Sequence, residues 1–165
     1  MSEIKASEAT QSEMWNSIIR AEDGVGIGAV RVVHWNRQGI LDRGRCINSW
    51  NIYVYLFQHH AAFNRFTGIT EQNYISSDTV LDFHGGCTYF QRSWNSEGRI
   101  VRVKLGCDYA HYGDEQYEDF ATKEDAWKVF SDAQDLITQV IELHKSKNNA
   151  LPENTPLQLL GDSNG

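Results

Sequence analysis

The sequence is poor in proline and in cysteine. Only two of its 165 residues are proline, Pro152 and Pro156, and both lie near the C-terminus. Helices and strands can therefore run through the rest of the chain without a proline break. The three cysteines, Cys46, Cys87 and Cys107, are an odd number without CxxC spacing. We expect them to be reduced thiols in or near the core, in preference to a zinc site or a disulfide.

Long apolar runs are also missing. The longest stretch without a formal charge, residues 46–64, contains asparagine, glutamine and histidine, and is too polar to cross a bilayer. The N-terminal residues are polar and of mixed charge, without the apolar segment of a secretory signal. The sequence thus predicts no membrane partner and residence in the cytoplasm.

Positive charge is in deficit. The chain has 15 lysines and arginines against 22 aspartates and glutamates, a net charge of −7. Because a dedicated nucleic-acid binder needs a basic face to neutralise phosphates, we expect neither DNA nor RNA as a partner. Acidic residues concentrate in the segment 114–125. This segment is either a solvated loop and helix start or an acidic contact surface for a basic protein.

Apolar and aromatic residues are plentiful. Hydrophobic residues make up 41% of the chain and aromatic residues 12%, which excludes a disordered or collagen-like protein. The length predicts one domain with a sufficient core. We predict a flexible arm over 1–12, a single α+β domain over 13–146 and a disordered tail over 147–165. The many aromatics predict an exposed apolar patch, and therefore a homo-oligomer.

Alternation of apolar and polar residues predicts an antiparallel sheet of four to five strands. In the second predicted strand, for example, Trp50, Ile52, Val54 and Leu56 alternate with more polar neighbours. A glycine-containing turn at 94–98 predicts that the last two strands form a hairpin. The predicted strands are 30–33, 47–57, 80–84, 88–93 and 99–107.

Helical spacing predicts one long C-terminal helix, over 122–145, packed on the sheet. Thr122 is its natural N-cap, and Val129, Phe130, Ile137 and Val140 belong to its apolar stripe. A short helix is predicted from residue 12, and a short helix or turn over 59–66. The glycines at 24, 26 and 28 do not open a helix, so they form no dinucleotide-binding fingerprint.

One end of the predicted hairpin gathers groups that bind ligands. Pairing counted from the turn puts Thr88 near Lys104 and His84 near Asp108, to within a residue or two. A purely structural edge would rarely need so many polar groups, since each buried one requires a partner. We therefore predict a ligand-binding edge formed by His84, Gly85, Gly86, Tyr89, Asp108, His111 and Asp114.

The residue types at this edge are compatible with more than one kind of site. Imidazoles beside carboxylates suit a divalent metal, the one candidate cofactor, or a histidine base oriented by aspartate. Gly85-Gly86 permits a positive φ or close approach of a ligand to backbone amides. A structural hydrogen bond between His84 and Asp108 is the third alternative. His60 could join this cluster if its segment folds over the same edge.

The same residues carry a resemblance. The motifs HGG-x-T-Y at 84–89 and G-x-D-x-x-H-x-G-D at 106–114, followed by a long helix, resemble a family of small uncharacterised bacteriophage proteins. Earlier matches are Cys46, the pair Tyr53-Val54 and the segment 60–63. The resemblance implies a phage accessory protein that acts in the host cytoplasm and is not part of the particle. It implies no reaction.

Three functions compete. The first is a counter-defence protein that binds a host immune factor or sequesters a nucleotide immune signal. Here Trp50, Tyr89 or Trp94 would stack on a base, and Arg92, Arg99, Arg102 or Lys104 would hold phosphates. The second is a metal-dependent hydrolase of a phosphorylated small molecule, built on His84, Asp108, His111 and Asp114. The third is a protein-binding inhibitor that uses the acidic segment 114–125. We favour binding over catalysis.

Overall fold

A computed structural model describes residues 11–36, 48–67 and 80–146. These residues form a five-stranded antiparallel sheet in the order β1-β2-β3-β5-β4 and a long C-terminal helix. The predicted α+β class is confirmed. The elements are β1 (Gln11–Arg20), β2 (Gly26–Asn36), β3 (Asn48–Phe57), α1 (Phe63–Thr67), β4 (Tyr89–Trp94), β5 (Ile100–Asp108), a 3₁₀ turn (Glu115–Asp119) and α2 (Trp127–Lys145).

The sheet has an inner face covered by α2 and an outer face on the other side. Trp50, Ile52, Val54 and Leu56 of β3 point inward and are fully buried, as their alternation predicted. Across from Leu56, Gly28 leaves no side chain between the sheet and the Val140 methyl of α2. The core therefore lies between the inner face and one side of α2.

The helix α2 ends where predicted but begins later. Its α-helical turns start at Trp127, whereas Thr122 accepts a hydrogen bond from the Asp125 amide in the turn before it. Val129 and Val140 are buried, while Phe130 and Ile137 are half-buried against the core. The stripe prediction is thus confirmed, and the predicted N-cap belongs to the preceding turn.

Two predicted elements are wrong. The segment from residue 12 is not a helix but the edge strand β1, in which Trp15 and Ile19 pack inward while Met14 and Ile18 stay exposed on the outer face. The segment 80–84 is not a strand among the described residues. Leu81 and Phe83 are buried alternately as expected, but no strand pairs with them.

Several predictions fall partly or wholly outside the described residues. These concern the tail 147–165 and Cys46, and the arm 1–12 apart from Gln11 and Ser12, which belong to β1. The other two cysteines, Cys87 and Cys107, are buried and form no disulfide among the described residues, as predicted. None of the helices in the described part of the chain is long and apolar enough to span a bilayer.

His60 does not join the predicted ligand-binding edge. Its Nε2 donates to the Val140 carbonyl of α2 at 2.9 Å, and its Nδ1 accepts from the Ala62 amide at 3.0 Å. Both ring nitrogens are therefore used by the backbone, and the neutral tautomer is fixed. Burial lowers the pKa of His60; the hydrogen bond to Val140 opposes this shift and the nearby His144 adds to it.

This pKa shift predicts an acid-sensitive fold. Below about pH 6.5 the unfolded chain binds a proton at His60 that the folded chain resists, so the free energy of unfolding falls as pH drops from that value. Urea denaturation between pH 8 and pH 5 should show this loss, and His60→Gln should reduce it. His59→Gln, at an exposed neighbour, is the control. An equal pH dependence in wild type and His60→Gln would refute the assignment.

Candidate functional site

Two loops at one end of the β4–β5 hairpin form a histidine–aspartate cluster, made of His84, His111 and Asp114. His84 lies before β4, and the other two follow β5. The His84 Nε2 donates to both carboxylate oxygens of Asp114, at 2.9 and 3.0 Å. The His111 Nδ1 lies 3.3 Å from Asp114 Oδ2, and the His111 backbone amide donates to the same oxygen at 2.9 Å.

The double glycine makes room for this cluster. Gly85 and Gly86 have φ values of +68° and +93°, which L side chains rarely adopt. A Cβ atom added to Gly85 would lie 2.6 Å from Cε1 of His111. At Gly85 the His111 ring, not a ligand, makes the close approach that the glycine permits.

An aromatic and acidic network supports the cluster from beneath. The His84 ring stacks on Tyr109, with ring centroids 4.1 Å apart and an interplanar angle of 13°. The Tyr109 hydroxyl donates to Asp132 of α2 at 2.6 Å, and Lys128 pairs with the same carboxylate. Burial, followed by the hydrogen bond to Asp132, raises the pKa of Tyr109. This network anchors His84 to α2.

The Asp114 carboxyl is buried and held as a carboxylate. Burial alone would raise its pKa, but hydrogen bonds from the His84 ring and the His111 amide outweigh that effect and lower it. His84 and His111 keep about a third of their side-chain surface exposed, at 27% and 31%, whereas Asp114 keeps 8%. The cluster is therefore anchored on a buried anion and open to solvent through its imidazoles.

The predicted site residues fall into two groups. His84, Gly85, His111 and Asp114 come together. Asp108 lies beside them, with its Oδ1 3.5 Å from the His111 Nδ1. The alternative of a structural hydrogen bond between His84 and Asp108 is not realised, because His84 pairs with Asp114. Tyr89 does not join the cluster, because it projects from the outer face of β4 and contacts Tyr53.

The strand register explains this change of partner. Gln91, not Thr88, lies opposite Lys104, so the predicted register is wrong by three positions. Thr88 instead donates its amide to the Gly106 carbonyl, and its hydroxyl is 3.5 Å from Asp108. His84 consequently lies beyond the end of the β4 ladder, where the turn after β5 presents Asp114.

The cluster has the composition of a metal-binding site. One atom from each of His84, His111 and Asp114 can be chosen so that all three lie within 4.8 Å of one another. Imidazole nitrogen and carboxylate oxygen together are ligands for zinc and other divalent first-row metals. Three such ligands would leave further coordination positions for water or for a bound anion.

Sequence reasoning missed the residues that support and extend this site. Tyr109 and Asp132 lie 23 positions apart, and no local pattern joins a tyrosine after one strand to a carboxylate on the helix. The cluster of tyrosines and cations on the outer face was anticipated only in part. Tyr89, Arg102 and Lys104 were named as possible ligand contacts, but their gathering around Tyr53 and Tyr55 was not predicted. The signals available were the alternation in β3 and the alternation in β5, which places Arg102 and Lys104 on the same face.

Comparison of the chain with protein-family models, with curated proteins and with solved structures yields no match. The resemblance to the bacteriophage family therefore stays a prediction.

Proposed function

We propose that this protein is a phage-type accessory protein that binds a phosphate-bearing, nucleotide-like molecule through a divalent metal ion held by the histidine–aspartate cluster. The observation that carries the proposal is the convergence of three ligating atoms within 4.8 Å in two partly exposed loops. In this proposal the protein acts in the host cytoplasm, as a counter-defence factor that sequesters a nucleotide immune signal or blocks a host factor.

Metal binding would use contacts that are already in place. The Nε2 of His84 and the Nδ1 of His111 both face the Asp114 carboxylate. A metal ion would replace the protons shared in these contacts, so its affinity would rise with pH. The stacking of Tyr109 and the hydrogen bond to Asp132 would fix the His84 ring, as second-shell partners do in known metal sites.

The state of the Cys107 thiol argues against covalent catalysis through that residue. Burial, partly opposed by a hydrogen bond from the His84 backbone, raises the pKa of Cys107 to about 12. A thiol with such a pKa is protonated at neutral pH and is a poor nucleophile. We therefore propose stoichiometric ligand binding without turnover.

Elemental analysis of the purified protein tests the proposal. We expect about one zinc or manganese ion per chain, together with retained nucleotide in mass spectrometry. His111→Ala and Asp114→Asn should lose the metal because each removes a ligand. His59→Ala, which changes an exposed histidine outside the cluster, should keep it. A protein that carries no metal, and takes up neither zinc nor manganese in calorimetric titration, would refute the proposed site.

A metal-dependent hydrolase is the second candidate. It is favoured by the solvent-open imidazoles, which would leave coordination positions for an activated water. Metal-loaded protein incubated with a phosphorylated small molecule separates the two functions. Release of more than one phosphate per chain, lost in His111→Ala, would favour the hydrolase over the binding protein.

A protein-binding inhibitor is the third candidate, and it would use the acidic segment 114–125. Tyr112 is fully exposed, and Glu115 and Asp119 a few positions later are exposed as well, whereas Asp114 is withdrawn into the cluster. Exposed tyrosines are frequent anchors of protein interfaces. A specific host protein captured equally well by wild type and by the variants without metal would favour this function.

A further inference from the structure

The outer face of the sheet carries a second concentration of polar chemistry, at a distance from α2 and its core. The residues lie on four neighbouring strands, β2, β3, β5 and β4, where register places their side chains on the same face. We call this set the tyrosine–cation face. It consists of Arg31, Tyr53, Tyr55, Tyr89, Arg102 and Lys104.

Three positive charges converge on one ring of this face. The guanidinium carbons of Arg31 and Arg102 lie 5.3 and 5.1 Å from the centre of the Tyr55 ring. The Lys104 ammonium lies 5.5 Å from the same centre, and 4.2 Å from that of Tyr53. Gathering like charges is unfavourable unless a negative charge offsets their repulsion. The arrangement is notable in a chain whose net charge is −7.

No carboxylate of the described residues forms an ion pair with these positive charges. Arg31 donates to the amide oxygen of Asn16, and Arg102 donates to the Ser93 hydroxyl. Within residues 11–36, 48–67 and 80–146, no carboxylate forms an ion pair with any of the three cations. The Lys104 ammonium contacts only aromatic rings there and has no hydrogen-bond acceptor. Its three donors are therefore available to the oxygen atoms of a ligand.

We propose that the tyrosine–cation face binds the phosphate groups of a nucleotide, with the base stacked on Tyr89. Phosphate oxygens complement the ammonium and guanidinium donors. Tyr89 is the accessible ring of the set, with 36% of its surface exposed, whereas Tyr55 lies buried beneath the cations. The proposal shares its ligand class with the proposed function, but it requires no metal ion.

The compact arrangement favours a mononucleotide over a nucleic acid. The three cations surround a single ring, whereas proteins that follow a nucleic-acid backbone spread basic residues along a groove. The rest of the chain is acidic on balance, which would repel an extended polyanion. A short run of adjacent phosphates fits this charge pattern better.

Calorimetric titration with ATP, in the presence of EDTA, tests the proposal. We expect saturable binding at one ATP per chain, weakened about tenfold or more by Lys104→Gln or Arg102→Gln, since each removes one charge-assisted contact. Arg99 was predicted to be able to hold phosphates, but it lies in the β4–β5 turn, pairs with Glu97 and does not belong to the tyrosine–cation face, so Arg99→Gln should bind like wild type. Inorganic triphosphate should bind more weakly than ATP, and Tyr89→Ala should remove that difference.

Three results would overturn the proposal. The first is that the wild type does not bind ATP. The second is that Lys104→Gln binds ATP as tightly as the wild type does. The third is that the wild type binds a single-stranded RNA oligomer but not ATP. Thermal unfolding of each variant shows whether it is folded. If Lys104→Gln does not fold, Arg102→Gln tests the same prediction, because Arg102 is exposed and its replacement is less disruptive to the fold. Because EDTA is present throughout, ATP binding in this experiment does not depend on a metal ion. The proposed metal site can therefore be refuted while ATP binding by the tyrosine–cation face is observed, and the reverse is also true.

Discussion

Replacing Trp50 with alanine is expected to lower the free energy of unfolding by about 3–5 kcal/mol. Trp50 is fully buried at the centre of an aromatic group, with ring centroids 4.3 Å from His34 and 5.9 Å from both Trp15 and Phe130. Its indole N–H also donates to the Phe120 carbonyl at 3.0 Å. The substitution would leave a large cavity and an unpaired carbonyl in a domain whose total stability is of order 5–15 kcal/mol.

Trp94→Ala is the matched control for this experiment. Trp94 is the same residue type at the end of β4, but 57% of its surface is exposed. Urea denaturation should therefore show a change of less than about 1 kcal/mol, as expected for a surface substitution. Similar losses in the two variants would show that Trp50 is not the centre of the core. The burial of Trp50 also excludes the base-stacking role considered for it.

Gly85→Ala is expected to combine a stability loss with a loss of the proposed metal ion. The positive φ of Gly85 would cost an L residue about 1–2 kcal/mol, and overpacking against His111 would add about 1–3 kcal/mol. To relieve the contact, the His111 ring must move away from the position in which it faces Asp114. Metal content and urea denaturation of the same preparation measure the two effects.

Gly98→Ala separates backbone strain from the contact with His111. Gly98 has a similar φ of +80°, but a Cβ atom there would meet nothing within 4 Å. We expect this variant to show the conformational cost alone and to keep its metal. If Gly98→Ala and Gly85→Ala behaved alike in both measurements, the packing of His111 on Gly85 would be irrelevant to the cluster.

The sheet was predictable where one face of a strand is buried and the other is polar. In β3 the burial of alternate residues matches their polarity, and Trp50 to Leu56 mark the inner face. The edge strand β1 lacks this contrast, because Met14 and Ile18 are apolar yet exposed on the outer face. Together with Trp15 and Ile19 they reproduce helical spacing, and local pattern cannot distinguish the two structures.

The register of the β4–β5 hairpin depended on two features that composition does not reveal. The turn is tighter than the five residues assumed, since the Asn95 amide already bonds to the Arg99 carbonyl. The side chain of Asn95 closes it further by accepting from the Glu97 and Arg99 amides. The pairing then shifts again between Ser93 and Trp94. Bulges of this kind displace every later partner along the ladder.

The site was predictable as a neighbourhood but not as a set of contacts. Once 88–93 and 99–107 were paired, the segments flanking the hairpin had to meet, which brought His84 towards the residues after β5. The choice of Asp114 over Asp108 required the position of the tight turn after β5, in which the Asp114 amide donates to the His111 carbonyl. Tyr109 and Tyr117, which flank that turn, contact each other with ring centroids 4.9 Å apart, and no local pattern reveals this contact.

The pairing of β4 with β5 lowers the conformational entropy that the chain must lose to bring the residues of the cluster together. His84 and Asp114 are 30 positions apart, and in an unfolded chain their encounter would require the closure of a long loop. The hairpin brings both ends of that segment together during folding. A ligand that binds there finds its donor atoms already assembled, so little conformational freedom is lost at the moment of association. The cluster is in this sense preorganised by the sheet.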